Sequence, residues 1–164
     1  MASTSTMLGL GTPAPDFALP EVRSGETVRR DGFTGQPLLV MFLCTHCPYV
    51  KHLEERLASL ANDYQGRGVG VVAIGANDAE RYPDDAPEGL AAQAERLDFR
   101  FPYLYDASQA VARAFTAACT PDFFLFAREH RLASRGRFDA SRPGSDAPVT
   151  GDELRAALEA VLAG

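Results

Sequence analysis

Apolar positions follow two distinct rhythms along the chain. QPLLVMFL (36–43) and GVVAIGA (70–76) are continuous apolar runs, the pattern of strands buried on both faces of a parallel sheet. Between them, 45–64 carries Val50, Leu53, Leu57, Leu60 and Ala61, three- and four-residue steps that predict an amphipathic helix. Pro48 falls in its first turn, where the missing N–H costs little. Gly66 and Gly68 end it. Further along, 87–99 and 108–117 read as helices and FPYLYD (101–106) as a short strand. The stretch 120–138 reads as two strands turning near Glu129 and His130, and 139–148 as a loop. The terminal segment 150–164 reads as a helix with Thr150 as N-cap and Glu153 completing a capping box. Near the start, DFALP (16–20) and ETVRR (26–30) form a short hairpin behind an irregular arm, 1–15.

Strands alternating with helices imply an α/β layered sheet, and the late hairpin makes that sheet mixed. The 164 residues suit a single domain, 1–164. Composition changes this picture little: 46% hydrophobic and 23% charged residues are ordinary for a globular chain. The net charge of −6 is scattered, which argues against nucleic acid or a membrane surface as partner. No run reaches the roughly 20 apolar residues of a membrane span. MASTSTMLGLGTPAP has neither the basic nor the apolar region of a signal peptide, so the expected location is cytoplasmic.

Chemistry concentrates in FLCTHCPYVKH (42–52). Three cysteines in the chain are too few for a secreted disulfide framework. A close pair in a reducing compartment reads as catalytic or metal-binding. In this reading Cys44 precedes the helix and Cys47 lies in its first turn, where unpaired N–H groups and the dipole favour a thiolate. Cys44 is expected to be the more exposed and to attack, with Cys47 resolving. His46 would stabilise the thiolate. Lys51, the only lysine, lies four residues beyond Cys47. The expected potential lies between about −270 and −120 mV. A structural zinc needs four ligands, and only Cys119, His52 and His130 remain to complete a set, so no metal is expected.

A second informative stretch is AACTPDFFLF (117–126). Proline cannot donate to a ladder, and a cis Thr120–Pro121 bond in a tight turn accounts for its place before a strand. Ligands of open α/β sheets bind beyond the C-terminal strand ends. Strand direction brings Asn77, Asp78, Asp122, Arg137, Asp139 and Arg142 to that edge beside the cysteines. Cys119 belongs there too, as a third redox cysteine or as a small buried residue. Arg137 and Arg142 could hold an anionic substrate. Asp78, Glu80, Asp84, Asp85 and Glu88 read as a solvated acidic loop capping the next helix.

GTPAPDFAL, CTHCPYVK, NDAERYPDDAPE, ACTPDFFLF and RGRFDASRPGSDAPVTGDELRAAL together resemble the AhpC/TSA–redoxin group of the thioredoxin superfamily, in its peroxiredoxin-like CxxC subgroup. The resemblance implies a thioredoxin-like fold: a central mixed β-sheet flanked by helices, with an N-terminal β-hairpin extension and an inserted α/β unit. It implies thiol–disulfide exchange at Cys44 and Cys47, with no cofactor beyond that redox-active disulfide, and a substrate groove shaped by Thr120 and cis-Pro121. Its partners would be protein or small-molecule disulfides and a thioredoxin-type or glutathione reductant. Leu43 stands where thioredoxin has tryptophan. Thioredoxin's buried acid falls near Leu38, leaving His46, Lys51 or Asp122 as proton acceptors. The peroxidatic pattern P-x-x-x-T-x-x-C meets Val40 and Cys44 when aligned on Cys47, and Pro37 and Met41 when aligned on Cys44. Neither supplies the threonine, so antioxidant thiol-peroxidase activity is the second expectation. A redox sensor or metal-binding module is the third.

Overall fold

A computed structural model describes residues 8–117 and 119–164; the first seven residues of the arm lie outside them. A two-stranded hairpin comes first, β1 (Ala18–Pro20) with β2 (Thr27–Arg29), antiparallel. The main sheet contains β3 (Leu38–Phe42), β4 (Gly70–Gly75), β5 (Tyr103–Tyr105), β6 (Asp122–Phe126) and β7 (Leu132–Gly136), in the order β5-β4-β3-β6-β7. β4 runs parallel to both β3 and β5, while β6 is antiparallel to β3 and β7. Among the described residues four α-helices complete the architecture: α1 (Pro48–Gly66), α2 (Pro87–Arg96), α3 (Ala110–Ala114) and α4 (Asp152–Ala163).

The continuous apolar run of β3 is explained by burial on both faces. Leu39, Met41 and Leu43 face one core with Val50, Leu53 and Leu57 of α1, Leu90 of α2 and Leu158 of α4. Leu38, Val40 and Phe42 face the other, formed by Phe17, Leu19, Phe115, Phe124 and Phe126. Alternate side chains of a strand point to opposite faces, so all five β3 residues are buried. Each such side chain contributes about 1.5–3 kcal/mol. Phe115 stands edge-on to Phe42, Phe124 and Phe126, an arrangement aromatic quadrupoles favour.

Several boundaries differ from the sequence reading. α1 begins at Pro48, with Cys47 as its N-cap in extended geometry, because the residue before a proline is pushed out of the helical region. α2 stops at Arg96 and Asp98 takes a left-handed φ of 55°. α3 is only five residues long. The N-cap of α4 is Gly151, at φ 72°. Thr150 Oγ1 accepts the Asp152 N–H, but Glu153 turns away to pair with Arg137, so no capping box forms. A side chain at Gly151 would also meet the Phe138 ring.

The pairing Phe42 with Ile74 and Phe42 with Asp122 puts the ends of β3 and β4 and the start of β6 on one sheet edge. No helix among the described residues is long and apolar enough to cross a membrane.

Candidate active site

Two loops converge beyond the end of β3. One is 43–47, between β3 and α1. The other is the Cys-Thr-Pro turn, where the Thr120–Pro121 peptide is cis. Thr120 touches both sulfurs of the pair. Its hydroxyl lies 3.2 Å from Cys44 Sγ, and its carbonyl accepts from Cys47 Sγ at 3.4 Å. The Cys47 N–H donates to Cys44 Sγ at 3.3 Å. All three cysteines are free thiols.

The two thiols differ in access, opposite to the sequence expectation. Cys44 is only 1% exposed, because it continues the buried run of β3. Cys47 is half-buried and opens into a cleft of about 600 Å³ whose walls include His46, Tyr49, Asn77, Tyr82, Arg113, Cys119 and Thr120. Burial pushes the Cys44 thiol up to about 11, against the opposing hydrogen bond from Thr120. The lowered pKa expected for Cys44 at a helix start is therefore corrected: desolvation outweighs the polar contacts.

His46 has a defined seat. Its ring stacks on Tyr82 at 4.4 Å, 8° from parallel, and its Nδ1 lies 2.6 Å from Asp85 Oδ2. Asp85, 1% exposed, is the residue that sequence reasoning missed, and it overturns the solvated-loop reading at that position. It accepts from the Thr45 N–H at 2.7 Å, the Thr45 hydroxyl at 2.6 Å and the Asn77 amide at 2.9 Å. Burial works against its charge, but the hydrogen bonds from Asn77 and Thr45, with His46 beside it, hold its carboxyl below the usual range. Gly89 lets the first turn of α2 approach this loop. A Cβ there would run into the Asp84 carbonyl oxygen.

Under Cys44 lies a second polar chain. Gln93 donates to the Cys44 carbonyl at 3.1 Å and accepts from the Tyr103 hydroxyl at 2.8 Å, and Arg96 pairs with Glu54. Neither Gln93 nor Glu54 stands out from the helical pattern that contains it.

The remaining predicted residues sort themselves by position. Asn77 reaches the cleft and Asp85; Asp78 is exposed and caps the Glu80 N–H. Asp122 is buried and paired with Arg135 at 3.1 Å. Lys51 is exposed and lines neither cleft described here. Arg137 and Arg142 border a second, more apolar cleft of about 310 Å³ on the other side of Thr120–Pro121, with Leu53, Phe123 and Phe138. Cys119, exposed, sits on the rim between the clefts. Partial burial of its sulfur and then the Asp122 charge raise its thiol.

Cys44, His46 and Asp85 bring a sulfur, a ring nitrogen and a carboxylate oxygen within 4.8 Å of one another. Both Asp85 oxygens are already engaged, by hydrogen bonds from Thr45 and Asn77 and by the close approach of His46 Nδ1. Cation binding would have to displace these contacts. His130, at the β6–β7 turn, instead donates to the Phe33 carbonyl at 2.9 Å. His52 contacts Ser141, whose hydroxyl donates to Asp139. That proton is committed to a carboxylate, so the trio is not a nucleophilic triad.

A mixed sheet between helices, with a dithiol at a helix start facing a cis-proline turn, is the architecture of thioredoxin-like proteins. A thiol:disulfide interchange protein of the thioredoxin family from Chlorobium tepidum shares the fold at TM-score 0.71 and 16% identity, over 94% of this chain and 99% of that one. The chain belongs to the AhpC/TSA family, whose profile matches residues 10–135. An uncharacterized conserved protein from Geobacillus kaustophilus is 50% identical, at TM-score 0.94 over 97% of this chain and 85% of that one. A hypothetical protein from Sinorhizobium meliloti is 48% identical, at TM-score 0.93 over 97% and 87%. No curated protein matches the chain.

Proposed function

We propose that the protein is a thiol–disulfide oxidoreductase cycling between the Cys44–Cys47 dithiol and disulfide. The observation that carries this reading is the convergence of both sulfurs on Thr120, immediately before cis-Pro121, beside an open cleft. A disulfide in that position can be presented to a partner's thiol, and a dithiol to a partner's disulfide. The disulfide itself carries the electrons, with no further cofactor. Substrates are protein or small-molecule disulfides, and a thioredoxin-type or glutathione system in the cytoplasm restores the thiols. His46, seated by Tyr82 and Asp85, tunes the pair.

Titration of the purified protein against glutathione or dithiothreitol buffers tests the reading, with thiol alkylation and mass measurement as readout. A two-electron transition that links Cys44 to Cys47 is expected between about −270 and −120 mV. No Cys44–Cys47 disulfide at any potential in that window ends the proposal.

Membership of the AhpC/TSA family favours one second reading, a thiol peroxidase. Rapid sulfenate formation with hydroperoxide would support it. Reaction no faster than that of a free thiol would remove it.

A further inference from the structure

We infer that the attacking thiol is Cys47, the second cysteine of the motif, and that Cys44 resolves. The inference rests on the oxidoreductase reading and assigns the two roles within it. An attacking sulfur must be reached in line by a substrate disulfide. Cys44 cannot be reached in this way, because it is 1% exposed and its sulfur is covered by the Thr120 hydroxyl and the Cys47 N–H. Cys47 lines the 600 Å³ cleft. It is also the N-cap of a 19-residue helix with no side-chain cap hydrogen bond. The raised Cys44 thiol accords with the resolving role. A resolving thiol needs no standing ionisation, only a proton acceptor at the moment of use.

That acceptor is the His46–Asp85 pair. Its nitrogen and oxygen lie within 4.8 Å of Cys44 Sγ, a separation one water can bridge. The other ionisable groups around Cys44 are Cys47 and the buried Tyr103, with Glu54 beyond it.

Reduction of a substrate RS–SR′ then proceeds in two displacements. The Cys47 thiolate attacks one sulfur, a Cys47–SR bond forms, the S–S bond breaks, and R′S⁻ leaves to take a proton from water. Cys44 gives its proton to the His46–Asp85 pair and attacks Cys47 Sγ. The Cys44–Cys47 bond forms, the bond to SR breaks, and RS⁻ leaves with the proton returned by the pair. The substrate gains two electrons and the dithiol loses two.

The test uses full-length protein carrying Cys119→Ser, with Cys44→Ser or Cys47→Ser added, and 4,4′-dithiodipyridine as probe. At pH 8 the Cys44→Ser protein is expected to form a stable one-probe adduct on Cys47. The Cys47→Ser protein should react at least about tenfold more slowly, because the remaining thiol is 1% exposed and burial favours its protonated form. Fast trapping on Cys44 alone, or equal rates on both, overturns the assignment while leaving the oxidoreductase reading intact. That reading fails separately, if no Cys44–Cys47 disulfide forms in the redox titration. A measurement independent of folding in the variants is limited alkylation of the reduced natural protein by iodoacetamide, with peptide mapping. Label on Cys47 ahead of Cys44 supports the assignment, and the reverse order overturns it.

Discussion

The β3–α1 junction and the loop between β4 and α2 meet at the same point and are built on opposite terms. The junction is apolar: Leu39, Met41, Leu43 and Cys44 are buried in one continuous core with Val50, Leu53 and Leu57. The loop is acidic and largely exposed, and one buried carboxylate, Asp85, ties it to the junction through Thr45 and His46 while also accepting from Asn77 of the same loop. The difference separates two kinds of support. Packing sets where Cys44 is, through many small contacts that do not depend on pH. Asp85 sets how the two residues between the cysteines are held, through a few strong contacts that do.

The largest effect expected from probing this contrast is on the apolar side. Leu39→Ala removes a fully buried side chain from the strand that ends in the motif. The expected loss is about 2–5 kcal/mol of unfolding free energy, measured by urea denaturation. The loss should be the same at pH 7 and at pH 4. A loss that changed with pH would show that packing and the charged loop are one cooperative device.

Asp85→Asn is the matching probe of the loop. It keeps the shape but removes the charge facing the Thr45 N–H, the Asn77 amide and His46. The expected loss at pH 7 is about 1–3 kcal/mol. The folded protein holds this carboxyl below its ordinary value of 3.8, so the unfolded chain binds the proton more readily. The contribution is therefore complete above the unfolded value and disappears as pH falls through the folded one. The gap between natural protein and variant should be full at pH 7 and narrow below about pH 4. Asp139 and Glu21 are held low as well, so acid weakens both proteins, and only the difference between them isolates Asp85. A gap that stays constant to pH 3 would mean that the charge is not what holds the loop.

The same contrast explains what the sequence made legible. Periodicity reports where apolar side chains lie relative to a core, and it located β3, α1, β4 and the late hairpin to within a few residues. Strand direction then placed Asn77, Asp122 and Arg137 toward the sheet edge that carries the cysteines. A buried charge has no period. Nothing in RYPDDAPE distinguishes Asp84, exposed, from Asp85, 1% exposed; the partners that hold the second carboxylate inward, Thr45, His46 and Asn77, are met only in the fold. The relative access of the cysteines was hidden for a related reason. Four residues separate the end of the apolar run from the proline that starts the helix. Whether the buried environment continues through Cys44 depends on Thr120, 76 residues away.

The smallest expected effect concerns Lys51, the cation that the sequence puts nearest the motif. It sits on the first turn of α1, exposed and outside both clefts. At a separation open to solvent, Coulomb interaction with a thiolate is screened within about 8–10 Å at ordinary ionic strength. Lys51→Ala should leave stability within about 0.5 kcal/mol of the natural protein. The rate of Cys47 alkylation at pH 8 should likewise be unchanged. His46→Ala removes a side chain held against Tyr82 and Asp85 at the cleft wall, and it should change that rate at the same ionic strength. A rate that falls by more than about threefold in Lys51→Ala, at low salt only, would show the lysine charge reaching the sulfur through solvent. The tuning of the site would then lie partly on the exposed turn of α1, outside the chain of contacts from Asp85 to His46.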